Sequence, residues 1–199
     1  MHRHGRVAFY VASRGHHADV GGKTPGSMPA DSRHLEEEGV VLRSLPLLRD
    51  GDLDEARLRE ALGAGPYPAR DPDQNLADLQ AMLAANAIGA TRLRGLSDKQ
   101  GEAAVAAYVD YVQDDAAERV AAAIAALPDG ETRFADALDD GTPVAVRLVV
   151  AGESLTIDLS GSGASVDGNL NAPRAVTVAA VLYGLRLLVD APIPLSSGC

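Results

Sequence analysis

Apolar residues recur with helical spacing in some stretches of the chain and alternate with polar residues in others. Steps of three and four positions connect the apolar residues of 76–93 and of 105–127, which predicts two long amphipathic helices. A shorter helical pattern covers 52–62 and is followed by glycine. A strongly apolar pattern covers 173–189 and predicts a final helix.

Both long helices have a start signal. Asp71 lies directly before Pro72, so a carboxylate is available at the N-cap and proline occupies the first helical position. Ser97 lies three residues before Gln100, which is the spacing of a capping box. We therefore expect the second long helix to begin at Ser97 and to pack antiparallel to the first across a short connection.

The remaining periodic stretches have the length of strands. Residues 133–138, 143–150 and 154–159 are separated by short glycine-containing turns, and apolar residues alternate along the last two. These three stretches predict an antiparallel β-meander. The apolar residues 7–12 predict a buried strand, and 40–42 predict another short one.

Together these elements predict an α+β protein with a strand-and-loop N-terminal part, an antiparallel helix pair, an antiparallel β-meander and a C-terminal apolar helix. We interpret 1–199 as a single fragment with three parts. The strand-and-loop part covers 1–50, a helical insertion covers 51–128, and the meander with the last helix covers 129–199. A strand-like stretch begins almost at residue 1, and an apolar helix pattern ends close to residue 199. We therefore expect an internal piece of a larger polypeptide.

Composition narrows the classes of function. The net charge of −10 disfavours binding to nucleic acid or to anionic lipid. With five Tyr, two Phe and no Trp, an aromatic platform for stacking bases is not expected. The only cysteine is Cys199, which excludes a disulfide framework within the chain. Arg186 interrupts the most apolar window, which is shorter than a membrane span, so we expect a soluble cytoplasmic protein.

The segment 14–22, Arg-Gly-His-His-Ala-Asp-Val-Gly-Gly, contains the densest set of reactive side chains. We take Arg14 and Asp19 as candidate catalytic residues and His16 and His17 as candidate metal ligands. Imidazole and carboxylate groups suit divalent Mn, Zn or Fe. In an extended segment the two histidines point to opposite faces, so only one of them can face a given site. The alternative is a surface loop with incidental histidines.

A second candidate segment, 160–171, is rich in glycine, serine and asparagine and precedes the last predicted helix. Its backbone N–H groups can meet an anion or a substrate carboxylate near a helix N-terminus. We take Asn169 and Asn171 as candidate substrate-binding residues. The alternative is a flexible connection between a strand and a helix.

Taken together, these segments resemble the hydantoinase B / 5-oxoprolinase family, to which subunits of acetone and acetophenone carboxylases are related. The resemblance rests on SRGHHADVGG at 13–22, YPARDPDQNLADLQ at 67–80 and GNLNAP at 168–173. It is extended by shorter matches at 25–29, 84–86, 113–114 and 180–183. The ordered set spans nearly the whole chain and is similar to the middle of the B-type polypeptide.

The resemblance implies an ATP-dependent hydrolase that opens a cyclic amide such as 5-oxoproline or a hydantoin. ATP is bound by the A-type partner and not by this chain, so the resemblance implies a hetero-oligomer acting on a small substrate. The related alternative is a subunit of an ATP-dependent ketone carboxylase. A further alternative is a truncated, non-catalytic fragment, and we expect little activity from the fragment alone.

The resemblance also implies a metal site. In metal-containing relatives the B-type polypeptide holds a metal through an upstream His-x-x-Asp motif and one histidine of the His-His-Ala-Asp segment. His16 matches that histidine best, with His17 as the alternative and Asp19 as a neighbouring partner of the ligands. No His-x-x-Asp motif precedes residue 16 in this sequence, so the resemblance implies an incomplete site and weak metal binding.

Overall fold

The structure is a computed structural model that describes residues 1–3 and 5–199. Helices and small antiparallel sheets give a mixed α+β fold, which confirms the predicted class. The chain divides into two compact units. The first comprises 1–99 with 167–169, and the second comprises 100–166 with 170–199.

Short strands, one short helix and most of one long helix make up the first unit. In chain order they are β1 (His2–Arg3), β2 (Arg6–Val7), a 3₁₀ turn (Leu35–Glu37), β3 (Leu48–Arg49), β4 (Asp52–Leu53), α1 (Glu55–Leu62) and α2 (Pro72–Gln100). The strands form two separate antiparallel hairpins, β1 with β2 and β3 with β4. Long loops therefore form much of this unit.

The short helix α1 follows the predicted pattern. The Asp54 carboxylate accepts a hydrogen bond from the backbone N–H of Arg57, and Gly63 ends the helix. Leu58 and Leu62 are buried on its inner face. The helix begins later than predicted because Asp52 and Leu53 pair with β3 in a hairpin.

The helix α2 begins at Pro72 as predicted, and the Asp71 carboxylate accepts a hydrogen bond from the Gln74 N–H at 3.1 Å. The predicted capping box at Ser97 is wrong. The Ser97 hydroxyl donates to the Leu93 carbonyl at 2.9 Å, a bond made within a continuing helix.

The helical path breaks instead at Gly101, whose φ of 88° is disfavoured for other residues. The helix α3 (Glu102–Ala125) follows directly, in the second unit. Within that unit α3 packs against β7 (Ser154–Asp158) and α4 (Arg174–Leu188). Its inward side chains Ala116, Val120 and Ile124 form an apolar core with Ile193.

The predicted meander is confirmed by β5 (Gly130–Ala137), β6 (Pro143–Ala151) and β7, which pair antiparallel in chain order. The final helix α4 lies within the predicted range. No helix in the described part of the chain is long and apolar enough to cross a membrane.

The strands predicted at 7–12 and 40–42 are wrong, although 7 itself belongs to β2. A strand needs a neighbour that satisfies its backbone groups along its length. Beyond β2, the Ala8 N–H donates to the carbonyl of Met1, where the hairpin ends. The Val40 N–H makes a single loop contact with the Val20 carbonyl at 2.8 Å. Apolar composition alone did not distinguish these extended loops from strands.

Candidate functional site

The segment 13–19 lies along α2 and is held there by side-chain hydrogen bonds. Near one end, the Ser13 hydroxyl donates to Asn86 Oδ1 at 2.7 Å. Closer to the helix start, His17 Nδ1 lies 3.2 Å from Asp78 Oδ2. The extended segment therefore presents its histidine to the first turns of α2.

Polar residues at 74, 75 and 78 form one cluster because residues three and four apart lie on the same side of a helix. Gln74 Nε2 donates to Asp78 Oδ1 at 2.8 Å, which leaves the other oxygen of Asp78 for His17. The His17 side chain keeps 21% of its surface exposed, and that of Asp78 keeps 36%. The imidazole is thus half-buried and still reachable from solvent.

Asn75 lies beside this pair and is almost completely buried. Its Nδ2 donates to the Asp19 carbonyl at 2.8 Å and lies 3.5 Å from His17 Nδ1. Its Oδ1 is buried and accepts no hydrogen bond from the described residues. Buried polar atoms are nearly always paired, so this amide oxygen marks an unusual position next to His17.

The Asp19 carboxylate organises the glycine-rich turn that follows the histidines. It accepts hydrogen bonds from the N–H groups of Gly21 at 2.8 Å and Gly26 at 2.9 Å, and from Arg70 Nη1 at 2.8 Å. Partial burial by itself raises the pKa of Asp19, but these donors outweigh it and lower the pKa to about 2. The carboxylate is therefore ionised and engaged on both oxygens.

Glycine is required where this turn meets 67–70. Gly21 has a φ of 94°, and a Cβ there would overlap the carbonyl oxygen of Tyr67. The Gly22 N–H donates to the same carbonyl at 3.0 Å, and Arg70 Nη2 donates to the Gly22 carbonyl at 2.6 Å. The backbones approach so closely that no side chain fits at Gly21.

The other candidate residues of this segment point elsewhere. Arg14 and His16 are both exposed, whereas His17 is half-buried against α2. The two histidines therefore face different environments, as the extended spacing predicts. The structure brings His17 next to the carboxylate of Asp78. The catalytic role of Arg14 stays a prediction.

The two candidate asparagines are both engaged with the backbone. Asn169, in the first unit, donates from Nδ2 to the Pro29 carbonyl at 2.6 Å. Asn171, in the second unit, accepts from the Val166 N–H and donates to the Val166 carbonyl, both at 2.9 Å. These contacts order the loop that contains them. Substrate binding by either asparagine stays a prediction.

The described residues do not by themselves fit a metal ion. Among residues 1–3 and 5–199, no group of three or more His, Cys, Asp or Glu side chains is arranged to hold one. Zinc sites in proteins use at least three such ligands. The Asp19 carboxylate is engaged in the turn, and His16 is exposed whereas His17 lies against α2.

Sequence analysis missed four side chains of this site, Arg70, Gln74, Asn75 and Asp78. All four lie in 67–80, which was interpreted only as a family motif and a helix start. The polar spacing 74, 75 and 78 was the available signal, since it places amide and carboxylate groups on adjoining faces of one helix.

The model of the hydantoinase B/oxoprolinase family matches residues 1–199. The chain belongs to this family. It is 36% identical over 208 residues to the 5-oxoprolinase of Dictyostelium discoideum, a match that covers 100% of this chain and 16% of that relative. It is 30% identical over 189 residues to the putative B-type subunit of a D-/L-hydantoinase from a Pseudomonas species, covering 89% of this chain and 31% of that protein.

The fold of the family also appears in a solved structure. The ATP-dependent caprolactamase of Pseudomonas jessenii superposes with a TM-score of 0.78 at 22% identity, over 90% of this chain and 31% of that one. Across the hydantoinase B/oxoprolinase relatives, the chain corresponds to only a part of each protein and spans 16% of the 5-oxoprolinase from Dictyostelium discoideum.

Proposed function

We propose that this chain is part of the B-type component of an ATP-dependent hydrolase that opens cyclic amides such as 5-oxoproline or a hydantoin. Membership of the hydantoinase B/oxoprolinase family over the whole chain carries the proposal. The names of its relatives, a 5-oxoprolinase and a hydantoinase component, support this substrate class. The fold that it shares with a caprolactamase is consistent with the same chemistry.

The proposed chemistry explains the need for ATP. An unstrained cyclic amide is stabilised by resonance, so water attacks its carbonyl carbon slowly. Transfer of a phosphoryl group to the amide oxygen turns that oxygen into a leaving group and lowers this barrier. Water adds to the carbon that bears the phosphorylated oxygen, the carbon–nitrogen bond of the ring breaks as the nitrogen takes up a proton, and an acyl phosphate remains. A second water then releases inorganic phosphate and leaves the carboxylate.

We place ATP binding in a partner A-type subunit. The only Gly-Lys-Thr sequence here, 22–24, lacks the first glycine of a phosphate-binding loop, because His17 stands at that position. The ammonium of Lys23 is also paired, at 3.0 Å from Asp31 and 3.7 Å from Glu37. These contacts support a structural use of Lys23 rather than contact with phosphate.

Within this chain, we propose that His17 contributes to the active centre. It is a half-buried imidazole, it lies next to an ionisable carboxylate, and it is reachable from solvent. His16 lacks this setting, so we favour His17 over His16 as the functional histidine. Divalent metal binding remains a proposal, and it requires more ligands than the described residues bring together.

A substrate panel tests the proposal. The full-length protein that contains this segment is combined with its A-type partner, and ATP hydrolysis is measured with 5-oxoproline, hydantoin, caprolactam and acetone. We expect ATP consumption and ring opening in equal amounts with one of the cyclic amides. ATP use with acetone alone would indicate a ketone carboxylase, and equal ATP use with and without every substrate would refute the proposal.

A further inference from the structure

Two hydrogen bonds connect three side chains, Gln74, Asp78 and His17, at the start of α2. Gln74 Nε2 donates to Asp78 Oδ1 at 2.8 Å, and Asp78 Oδ2 lies 3.2 Å from His17 Nδ1. Gln74 and Asp78 are one helical turn apart, so the helix itself sets their separation. His17 comes from the extended segment on the other side of the contact.

The position of the imidazole proton follows from the chemistry of the two neighbours of Nδ1. An ionised carboxylate only accepts hydrogen bonds, so the contact with Asp78 requires a proton on Nδ1. The Asn75 amide nitrogen only donates, and it lies farther away at 3.5 Å. If Nδ1 carried its electron pair instead, that pair would face the negative oxygen of Asp78. The shorter, charge-assisted contact therefore determines the tautomer.

We propose that Asp78, held by Gln74, is a positioning residue that fixes His17 with its proton on Nδ1, so that Nε2 carries a free electron pair. A half-turn of the ring would place a carbon against Asp78 and lose the hydrogen bond, so the contact also fixes the orientation. The exposed fraction of His17, 21%, leaves room for a proton or another electron-pair acceptor to reach the ring. NMR can measure which ring nitrogen carries the proton, and this measurement does not require enzyme activity.

Nitrogen NMR of the ¹⁵N-labelled chain tests this assignment. At about pH 9, well above the ordinary histidine pKa of about 6.5, long-range proton–nitrogen correlations distinguish a protonated ring nitrogen from one with a free electron pair. His17→Ala identifies the His17 signals, and the exposed His16 serves as an internal reference. We expect His17 to show a protonated Nδ1 and a free Nε2, a pattern distinct from that of His16.

Two substitutions in α2 test whether Asp78 determines the tautomer of His17. Asp78→Ala removes the acceptor, so we expect His17 to shift toward the tautomer pattern of His16. Asp73→Ala is the matched control, because Asp73 lies on the same helix and loses an ion pair with Arg59 but does not contact His17. Equal melting of the two variants shows that the shift is local.

A wild-type His17 with its proton on Nε2 would overturn the assignment, and so would an unchanged pattern in Asp78→Ala. The wild-type spectrum decides the question even if Asp78→Ala fails to fold. The importance of this pair for ring opening rests on the proposed function. A complex that opens no cyclic amide would refute that function and leave the tautomer result unaffected.

Discussion

Replacing Asp19 by asparagine distinguishes a structural carboxylate from a reactive one. The side chain is only 17% exposed, and both oxygens accept hydrogen bonds from the turn or from Arg70. In Asp19→Asn one oxygen becomes an NH₂ group, which faces another donor. The variant therefore loses a charge-assisted hydrogen bond, and its new NH₂ group faces an N–H group that also donates.

The size of the loss follows from the lowered pKa. A fall from the ordinary value of 3.8 to about 2 corresponds to about 2 kcal/mol of folding stability. Because the folded-state pKa is the lower one, this stabilisation is present above about pH 4 and is lost as the pH falls toward about 2. Asp19→Asn should therefore be destabilised by about 2 kcal/mol near neutral pH, with a smaller difference in acid.

Urea unfolding at several pH values measures this difference, and amide hydrogen exchange at Gly21 and Gly26 localises it to the turn. Asp31→Asn is the control, since Asp31 is an exposed partner of Lys23 and its loss should cost less than the loss of Asp19. If Asp19→Asn were no less stable than Asp31→Asn, the structural role assigned to Asp19 would be wrong.

Three further comparisons between substitutions test the fold. Gly21→Ala should lower the free energy of unfolding in urea by more than Gly26→Ala does. Both glycines have a positive φ, but only at Gly21 would a Cβ overlap backbone atoms. Equal losses in the two variants would contradict the close approach. Leu58→Ala should cost about 2–5 kcal/mol and the half-exposed Leu48→Ala much less, as measured by thermal melting. Ser97→Gly should cost about 1 kcal/mol more than Ser97→Ala in urea unfolding, because both lose the hydroxyl and glycine is unfavourable inside a helix. Glycine tolerated better than alanine would instead support the predicted N-cap.

Sequence periodicity predicted the meander and α4, which both form where the alternating and helical patterns lie. It did not predict their burial, since β5 is exposed along its length and α4 buries none of its side chains completely. Residues 8–12 are apolar but extended without a ladder, and composition does not show whether a pairing strand is near. The spacing of Ser97 and Gln100 is that of a capping box, but α2 continues through both residues. The helix ends before Gly101, which has a positive φ.

The candidate site was predictable in part. The extended spacing indicated that His16 and His17 face opposite sides, but which of them meets α2 depends on how the segment packs. The engagement of Asp19 with Arg70 links positions far apart in sequence, so no local pattern indicates it. The same holds for the contact between Asp78 and His17, which only the packed structure provides.

We propose that His17, and not its neighbour His16, belongs to the active centre of a cyclic-amide hydrolase. The most direct measurement is ATP-coupled ring opening by the full complex carrying His17→Ala or His16→Ala. We expect a loss of about 10²-fold or more for His17→Ala and a change of only a few-fold for His16→Ala, with equal assembly of both complexes. A large loss for His16→Ala with normal turnover by His17→Ala would contradict the account.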